Sequence, residues 1–370
     1  MIIAVLTGMS GSERRDMVAG LVPYAQQHGY GVTCIDLWEE MQAVDPNAAE
    51  ATILNIADAH RARIVQEAFR RVEAQIVRLE QNHSGDDWAV IVVTHATFFW
   101  NSSYLEAFPD KLLSSLHPEV LFTVEPNVLD AFHNLRSDSH RRFDQISISD
   151  ILYWRDRETE ETVRWARGLR IPHFLVSRNE PEEILSHLLF QRHRKRIYAS
   201  YPMSHVTEEE RNASQGLIQG LRRKGYVVFD PGALEDLGQI NSLLEQRRIG
   251  QGILSQFSDS EVMHLLRAAG DHTVKRDYQL IDQSDLVVVY YPSIPLFGSP
   301  SSSEFSSAGP YIPLSAGVIC EMVHGHTAGK RVYAVWLPET EPSPFFTYHA
   351  HRIARSSQEL LEMVTQLDPP

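Results

Sequence analysis

The chain has 370 residues, of which 43% are hydrophobic and 22% charged, with a net charge of -14. That length suits two ordinary domains with cores of their own, and the acidic excess excludes a general nucleic-acid binder, which needs a basic field. No apolar run approaches the ~20 residues that span a bilayer, so no membrane partner is expected.

The chain opens on IIAVLTG, a compact apolar strand ending in glycine, without the basic segment that starts a signal peptide. Residues 12–28 read as a helix and YGVTCIDL as a second strand. A long helical pattern covers about 50–82, and WAVIVVTH is a third strand. EVLFTVEP is a fourth, a polar helical stretch runs to about 168, and IPHFLVS is a fifth. Strands alternating with helices imply a mostly parallel sheet with helices on both faces. The basic run QRHRKR at 191–196 reads as a solvated linker, dividing the chain into 1–190 and 195–370.

The second half repeats the class. RIYASY is a strand, 206–224 a helix closed by Gly225, and YVVFDP a strand. Residues 242–268 are mostly helical, and RDYQLIDQSD is a short helix leading into the strand LVVVYYP. The Ser-, Pro- and Gly-rich stretch 293–313 is too long for a simple connection and reads as a lid or an insertion. LSAGVICEMVHG is then a helix, RVYAVWL a strand and 356–367 the last helix. Both halves are expected to be open parallel-sheet, Rossmann-like three-layer α/β domains with right-handed crossovers, binding ligands at the carboxyl ends of strands. The two cysteines, Cys34 and Cys320, have no metal-ligand spacing, and a reduced cytoplasmic protein without a zinc site is expected.

GMSGSERR, residues 8–15, follows a strand and opens a helix, the place of a phosphate loop. Gly8, Gly11, Ser12 and Arg14 are its candidate nucleotide-binding residues. Counting from Gly8, however, Glu13 stands where the motif has its second glycine, Arg14 where it has Lys, and Arg15 where it has Ser or Thr. With the strand VIVVTHATFFW and with HNLRSDSHRR, which carries Arg136, Arg141 and Arg142, residues 1–180 resemble the nucleoside-monophosphate-kinase-like branch of P-loop proteins. In that branch such arginines close over phosphates. The altered loop, and the lack of an acid ending the 88–94 strand where magnesium would be held, make this a degenerate domain serving structure, dimerisation or nucleotide sensing. Phosphoryl transfer with ATP and magnesium, Arg14 standing in for Lys, is the alternative, although Arg does not simply replace a compact ammonium.

Glu321 stands out in LSAGVICEMVHG, a carboxylate among Val318, Ile319, Met322 and Val323. It is either a solvated helix residue or one held for a purpose. RIYASYPMS, RDYQLIDQSDLVVVYYP and SAGVICEMVHG occur in that order, followed by the Gly329-Lys330 turn before a strand. Together they resemble the nucleoside 2-deoxyribosyltransferase family, which includes the 2'-deoxynucleoside 5'-phosphate N-hydrolases; the resemblance covers about 195–368. Cleaving an N-glycosidic bond develops positive charge at the anomeric carbon and negative charge on the base. A carboxylate answers the first and a second group orients or protonates the base. The resemblance implies Glu321 as nucleophile, Asp277 as the group contacting the base and Tyr198 as the residue orienting the nucleophile.

Ser315, Gly317 and Glu321 form the S.G...E pattern of the 5'-phosphate N-hydrolases, where the transferases resemble D.GT..E. An Asp would repel a 5'-phosphate; a Ser hydroxyl and the N–H groups of a helix start would hold it. Plain capping of the helix by Ser315 is the simpler role and does not exclude this one. Asp285 reads as a residue at the start of a strand and Asp230 as a turn acid with Pro231. His205, His324 and His326 imply no metal. Arg352 and Arg355 are candidates to reach a phosphate across a subunit interface, since the family commonly assembles through its sites, and a homo-oligomer is expected.

The leading reading is therefore cleavage of a nucleoside 5'-monophosphate, by hydrolysis or by transfer to another base, with no cofactor. A nucleotide-sensing module without turnover and a bifunctional kinase and glycosidase are the alternatives.

Overall fold

The computed structural model describes all residues except 49–52, 84, 101–102, 138–142, 144–145, 204–205, 256 and 293–314. Arg141, Arg142, His205 and the expected lid at 293–313 thus lie outside the described residues. Two compact units are present. One comprises Met1–Arg192 with Ala233–Val274, the other His193–Gly232 with Lys275–Pro370. Residues 233–274, inside the span 195–370 expected for the second half, therefore belong with the first unit.

The elements of residues 1–192 are β1 (Ile2–Thr7), α1 (Arg14–Gln27), β2 (Gly31–Asp36), α2 (Leu37–Val44), α3 (Asp58–Asn82), β3 (Trp88–Val93), β4 (Thr97–Trp100), β5 (Ser103–Glu106), α4 (Asp110–Ser115), β6 (Val120–Glu125), α5 (Val128–Arg136), α6 (Ile148–Leu169), β7 (His173–Ser177) and α7 (Glu182–Phe190). Five strands form a parallel sheet in the order β2-β3-β1-β6-β7. Ile2–Leu6 run in register with Ala89–Val93, and Ala4–Thr7 with Val120–Thr123. These strands are buried almost throughout, which is why they read as unbroken apolar runs. Val5, Val90 and Val92 pack with Ile64, Phe69 and Val72 of α3.

The remaining elements are β8 (Arg196–Ser200), α8 (Glu208–Arg223), β9 (Val227–Phe229), α9 (Asp236–Arg248), α10 (Asp259–Asp282), β10 (Leu286–Tyr291), α11 (Ala316–Thr327), β11 (Arg331–Trp336), α12 (Pro344–His349), β12 (Arg352–Ala354) and α13 (Ser357–Leu367). The second unit's sheet is parallel in the order β12-β11-β10-β8-β9. Ile197, Ala199, Val288, Tyr290 and Val335 pack with Leu217, Leu221, Leu360 and Val364 of α8 and α13. Strand alternation sends Tyr198 and Ser200 to the other face, where α11 lies against β8, β10 and β11. Both units are α/β with parallel five-stranded sheets. Among the described residues no helix is long and apolar enough to cross a membrane.

Several elements depart from expectation. The separate helical stretches expected at 242–268 and 276–285 are α9 and α10, and α10 alone runs from Asp259 to Asp282. The antiparallel pair β4-β5, the short helix α12 and the edge strand β12 carry no strong sequence pattern and were not expected.

Candidate active site

Two contacts fix α11 against the second sheet. Its N-cap is Ser315, whose Oγ accepts from the N–H of Val318 at 3.5 Å. The Ser315 N–H donates to the hydroxyl of Tyr291, the last residue of β10, at 2.9 Å. Three turns on, Gly325 meets the strand: a Cβ there would lie 2.6 Å from Cγ2 of Val287. Only a bare Cα permits that approach, because Val is stiff at χ1. Gly325→Ala is accordingly expected to destabilise the protein by about 1–3 kcal/mol through overpacking, read as a lower urea midpoint, and to impair any activity that needs Glu321 in place.

Glu321 is half-buried on α11. Its Oε2 accepts from Ser200 Oγ at 2.5 Å. Ser200 ends β8 and is wholly buried. Tyr198, two residues earlier, shares that face and is also wholly buried. Its hydroxyl lies within reach of the Glu321 and Asp277 charges but makes no hydrogen bond of good geometry. Burial, then those two charges, push its pKa well above the usual value. Ser200 is thus a partner of Glu321 beside Tyr198, whose hydroxyl also interacts with that carboxylate.

Asp277 comes from the carboxyl-terminal part of α10, a place the helix dipole does not favour for a carboxylate. Arg276 holds it, with Nε at 2.9 Å and Nη2 at 2.7 Å from Oδ1, and both residues are almost wholly buried. Burial first, and the Asp277 charge second, push the Glu321 pKa from 4.5 up to about 8, against the opposing influences of Ser200, Tyr198 and Arg276. Tyr278 stacks flat on His324 at 4.1 Å, and His324 pairs with Asp282 at 2.8 Å, so α10 and α11 are joined beside the site. Gly317 faces the same space: a Cβ there would lie 3.8 Å from both Glu321 Oε1 and Ser315 Oγ.

The structure therefore brings Glu321, Asp277, Tyr198, Ser315 and Gly317 together at the carboxyl end of the sheet. Sequence reasoning missed Ser200 and Arg276. The signal for Ser200 was its period-two relation to Tyr198 at the end of RIYASY. Other acids lie elsewhere. Asp285 binds Arg196 at the start of β8 at 2.7 Å. Asp230 closes a turn, accepting from Tyr201, Gln215 and the N–H of Gly232. Arg355 pairs with exposed Glu341 at 2.9 Å, and Arg352 donates to the His351 carbonyl at 3.1 Å.

The loop at 8–15 is turned inward. The N–H of Gly8 donates to Oε1 of Glu158 at 2.9 Å. The same carboxylate takes the N–H groups of Ala96 and Thr97 and the Thr97 hydroxyl, each at 2.7 Å. Glu158 is 1% exposed, so an internal carboxyl group occupies the strand ends beside the loop. Gly11 has φ +81, and a Cβ there would meet Leu135 Cγ at 3.1 Å. Ser12 is wholly buried. Arg14 is directed to the Met9 carbonyl at 3.2 Å and to His95 Nε2 at 2.7 Å.

No family model matches the chain, and comparison with curated proteins finds no match. Among solved structures the chain is similar in part to a CMP N-glycosidase from Clostridium botulinum, at 15% identity over 46% of this chain and 98% of that one, with a TM-score of 0.26. It is similar to a 2-deoxyribosyltransferase from Bacillus psychrosaccharolyticus at 15% identity, 45% and 90% coverage and a TM-score of 0.25. It is also similar to shikimate kinase from Bacteroides thetaiotaomicron at 11% identity, 52% and 95% coverage and a TM-score of 0.31.

Proposed function

We propose that the second unit cleaves the N-glycosidic bond of a nucleoside 5'-monophosphate, with Glu321 as nucleophile. The observation that carries this reading is one carboxylate, Glu321, tied by Ser200 at the carboxyl end of a parallel sheet and set beside a second, buried carboxylate, Asp277. A Glu321 oxygen donates a lone pair to the anomeric carbon, and the C–N bond breaks with its electrons passing to the base. Water then adds to the anomeric carbon and the ester C–O bond breaks, restoring Glu321. Overall, water supplies a proton to the base and hydroxide to the sugar, and no cofactor enters the balance. A second base in place of water gives transfer. Asp277, held by Arg276, is an acceptor for an N–H of the base.

In this reading the Ser315 hydroxyl and the first N–H groups of α11 hold the 5'-phosphate. Ser315→Asp keeps a good N-cap but places a negative charge there. It is expected to lower kcat/KM for the monophosphate by about 10–100-fold, the worth of one hydrogen bond to a charged group, and to spare the free nucleoside. Steady-state kinetics on the matched pair checks this.

The test of the reaction is a panel of nucleosides and nucleoside monophosphates with chromatography for free base. No release from any of them, or undiminished release by Glu321→Gln, rejects it. For the first unit we propose a structural role without phosphoryl transfer, because Glu158 and Arg14 are committed within the fold. Transfer of phosphate from ATP to a nucleotide, lost in Arg14→Ala, would overturn that.

A further inference from the structure

The two oxygens of Glu321 stand in different surroundings. Oε2 is tied to Ser200 Oγ at 2.5 Å, and Ser200 is itself fixed as the last residue of a buried strand paired to Val289 of β10. Oε1 lies toward Gly317. A Cβ built on Gly317 would have only Glu321 Oε1 and Ser315 Oγ near it among the described residues outside the helix backbone, each at 3.8 Å. A bare glycine, a hydroxyl and one carboxylate oxygen thus lie close together.

We propose that Ser200 is a positioning residue that holds Oε2, so that Oε1 is the oxygen that attacks the anomeric carbon. This rests on the N-glycosidic reading of the site. The Oε1 lone pair forms the C–O bond, the C–N electrons leave with the base, and water later reverses the C–O bond formation. Tying one oxygen removes rotation of the carboxylate about its last bond and keeps the other in line for attack. The same hydrogen bond favours the ionised form. It acts against burial and the charge of Asp277, and alongside Arg276 and Tyr198. The charge of Glu321 also reaches Tyr278 of α10. Tyr198 sits on the same strand as Ser200 and also interacts with Glu321, and the 2.5 Å contact to Oε2 is that of Ser200.

The experiment pairs a titration with kinetics on the full chain. Carboxyl carbon NMR, with Glu321 assigned by its loss in Glu321→Gln, gives the ionisation of Glu321 without any need for turnover. Ser200→Ala is expected to move it up by about 1–2 pH units, the loss of one hydrogen bond to a charged acceptor. The rising limb of kcat/KM against pH should move with it, with kcat about 10-fold lower and KM little changed. An unmoved titration and an unmoved limb overturn the role of Ser200, even where Glu321→Gln is inactive and the N-glycosidic reading stands. Absence of base release by the wild type removes that reading and the attacking role of Oε1, and the titration still decides whether Ser200 holds Glu321. A structure with ribose 5-phosphate is expected to place the anomeric carbon next to Oε1; an anomeric carbon on the Ser200 side overturns the assignment.

Discussion

Glu321→Gln is expected to lower release of base by about 10^3-fold or more, the scale on which removal of a reacting group lowers turnover, while leaving the fold intact. The amide has the shape of the carboxylate, and its oxygen still accepts from Ser200. It lacks the charge that meets the developing cation and the lone pair that bonds to it. Stability should move the other way. The Glu321 pKa is raised in the fold from 4.5 to about 8. A carboxyl with a raised pKa contributes most to stability below its unfolded value, and that contribution is lost as pH rises through the folded value. Wild-type protein should therefore lose more stability than Glu321→Gln between pH 5 and about pH 9. Thermal denaturation of both at the two pH values checks this, and equal losses would contradict the placement of Glu321 beside Asp277.

Glu158→Ala is expected to destabilise the first unit by about 3 kcal/mol or more. It leaves the N–H groups of Gly8, Ala96 and Thr97 and the Thr97 hydroxyl without their acceptor in a buried place, and each such group costs about 1–3 kcal/mol. Glu158→Gln should fall between wild type and Ala, since its oxygen serves some of the donors and its amino group faces the others. Tryptophan fluorescence suits the measurement. Trp38, Trp88, Trp100, Trp154 and Trp165 lie in the first unit, and only Trp336 of the six lies in the second. A urea midpoint unchanged in Glu158→Ala would mean that another group satisfies the loop.

The parallel strands were legible because burial on both faces makes them continuous apolar runs, as in WAVIVV and LVVVYY. Glu321 was legible because a carboxylate interrupts an apolar helix. Ser200 was harder to see, being a small polar residue whose meaning depends on the face of the strand it shares with Tyr198. Arg276 and Glu158 were hidden for a different reason. Each sits among other charges, in KRDY and RDRETEE, and so reads as part of a solvated helix face. The partners of Glu158 are mostly backbone N–H groups, which leave no residue-type signature. The full length of α10 was hidden by His272 and Thr273, which are polar yet buried. His272 is placed there by Asp156, 2.5 Å from its Nδ1, an interaction between residues 116 positions apart that no local pattern records.

The make-up of the first unit has a consequence for how the chain is made. Arg155 of α6 is wholly buried, and its guanidinium is held by Asp236 at 2.5 Å and 3.2 Å and by the Pro126 carbonyl. Ile240, Leu243, Leu254 and Leu265 complete an apolar cluster with Val128, Ile151 and Trp154. Asp236, Ile240, Leu243, Leu254 and Leu265 all lie beyond the basic linker. A ribosome that has delivered residues 1–192 has therefore delivered an arginine without its counter-charge and a helical face without its cover. The first unit to begin folding cannot be the first to finish. Its last pieces emerge only after β8, α8 and β9 of its neighbour have been synthesised, and a fragment cut at the linker would carry that unfinished face permanently.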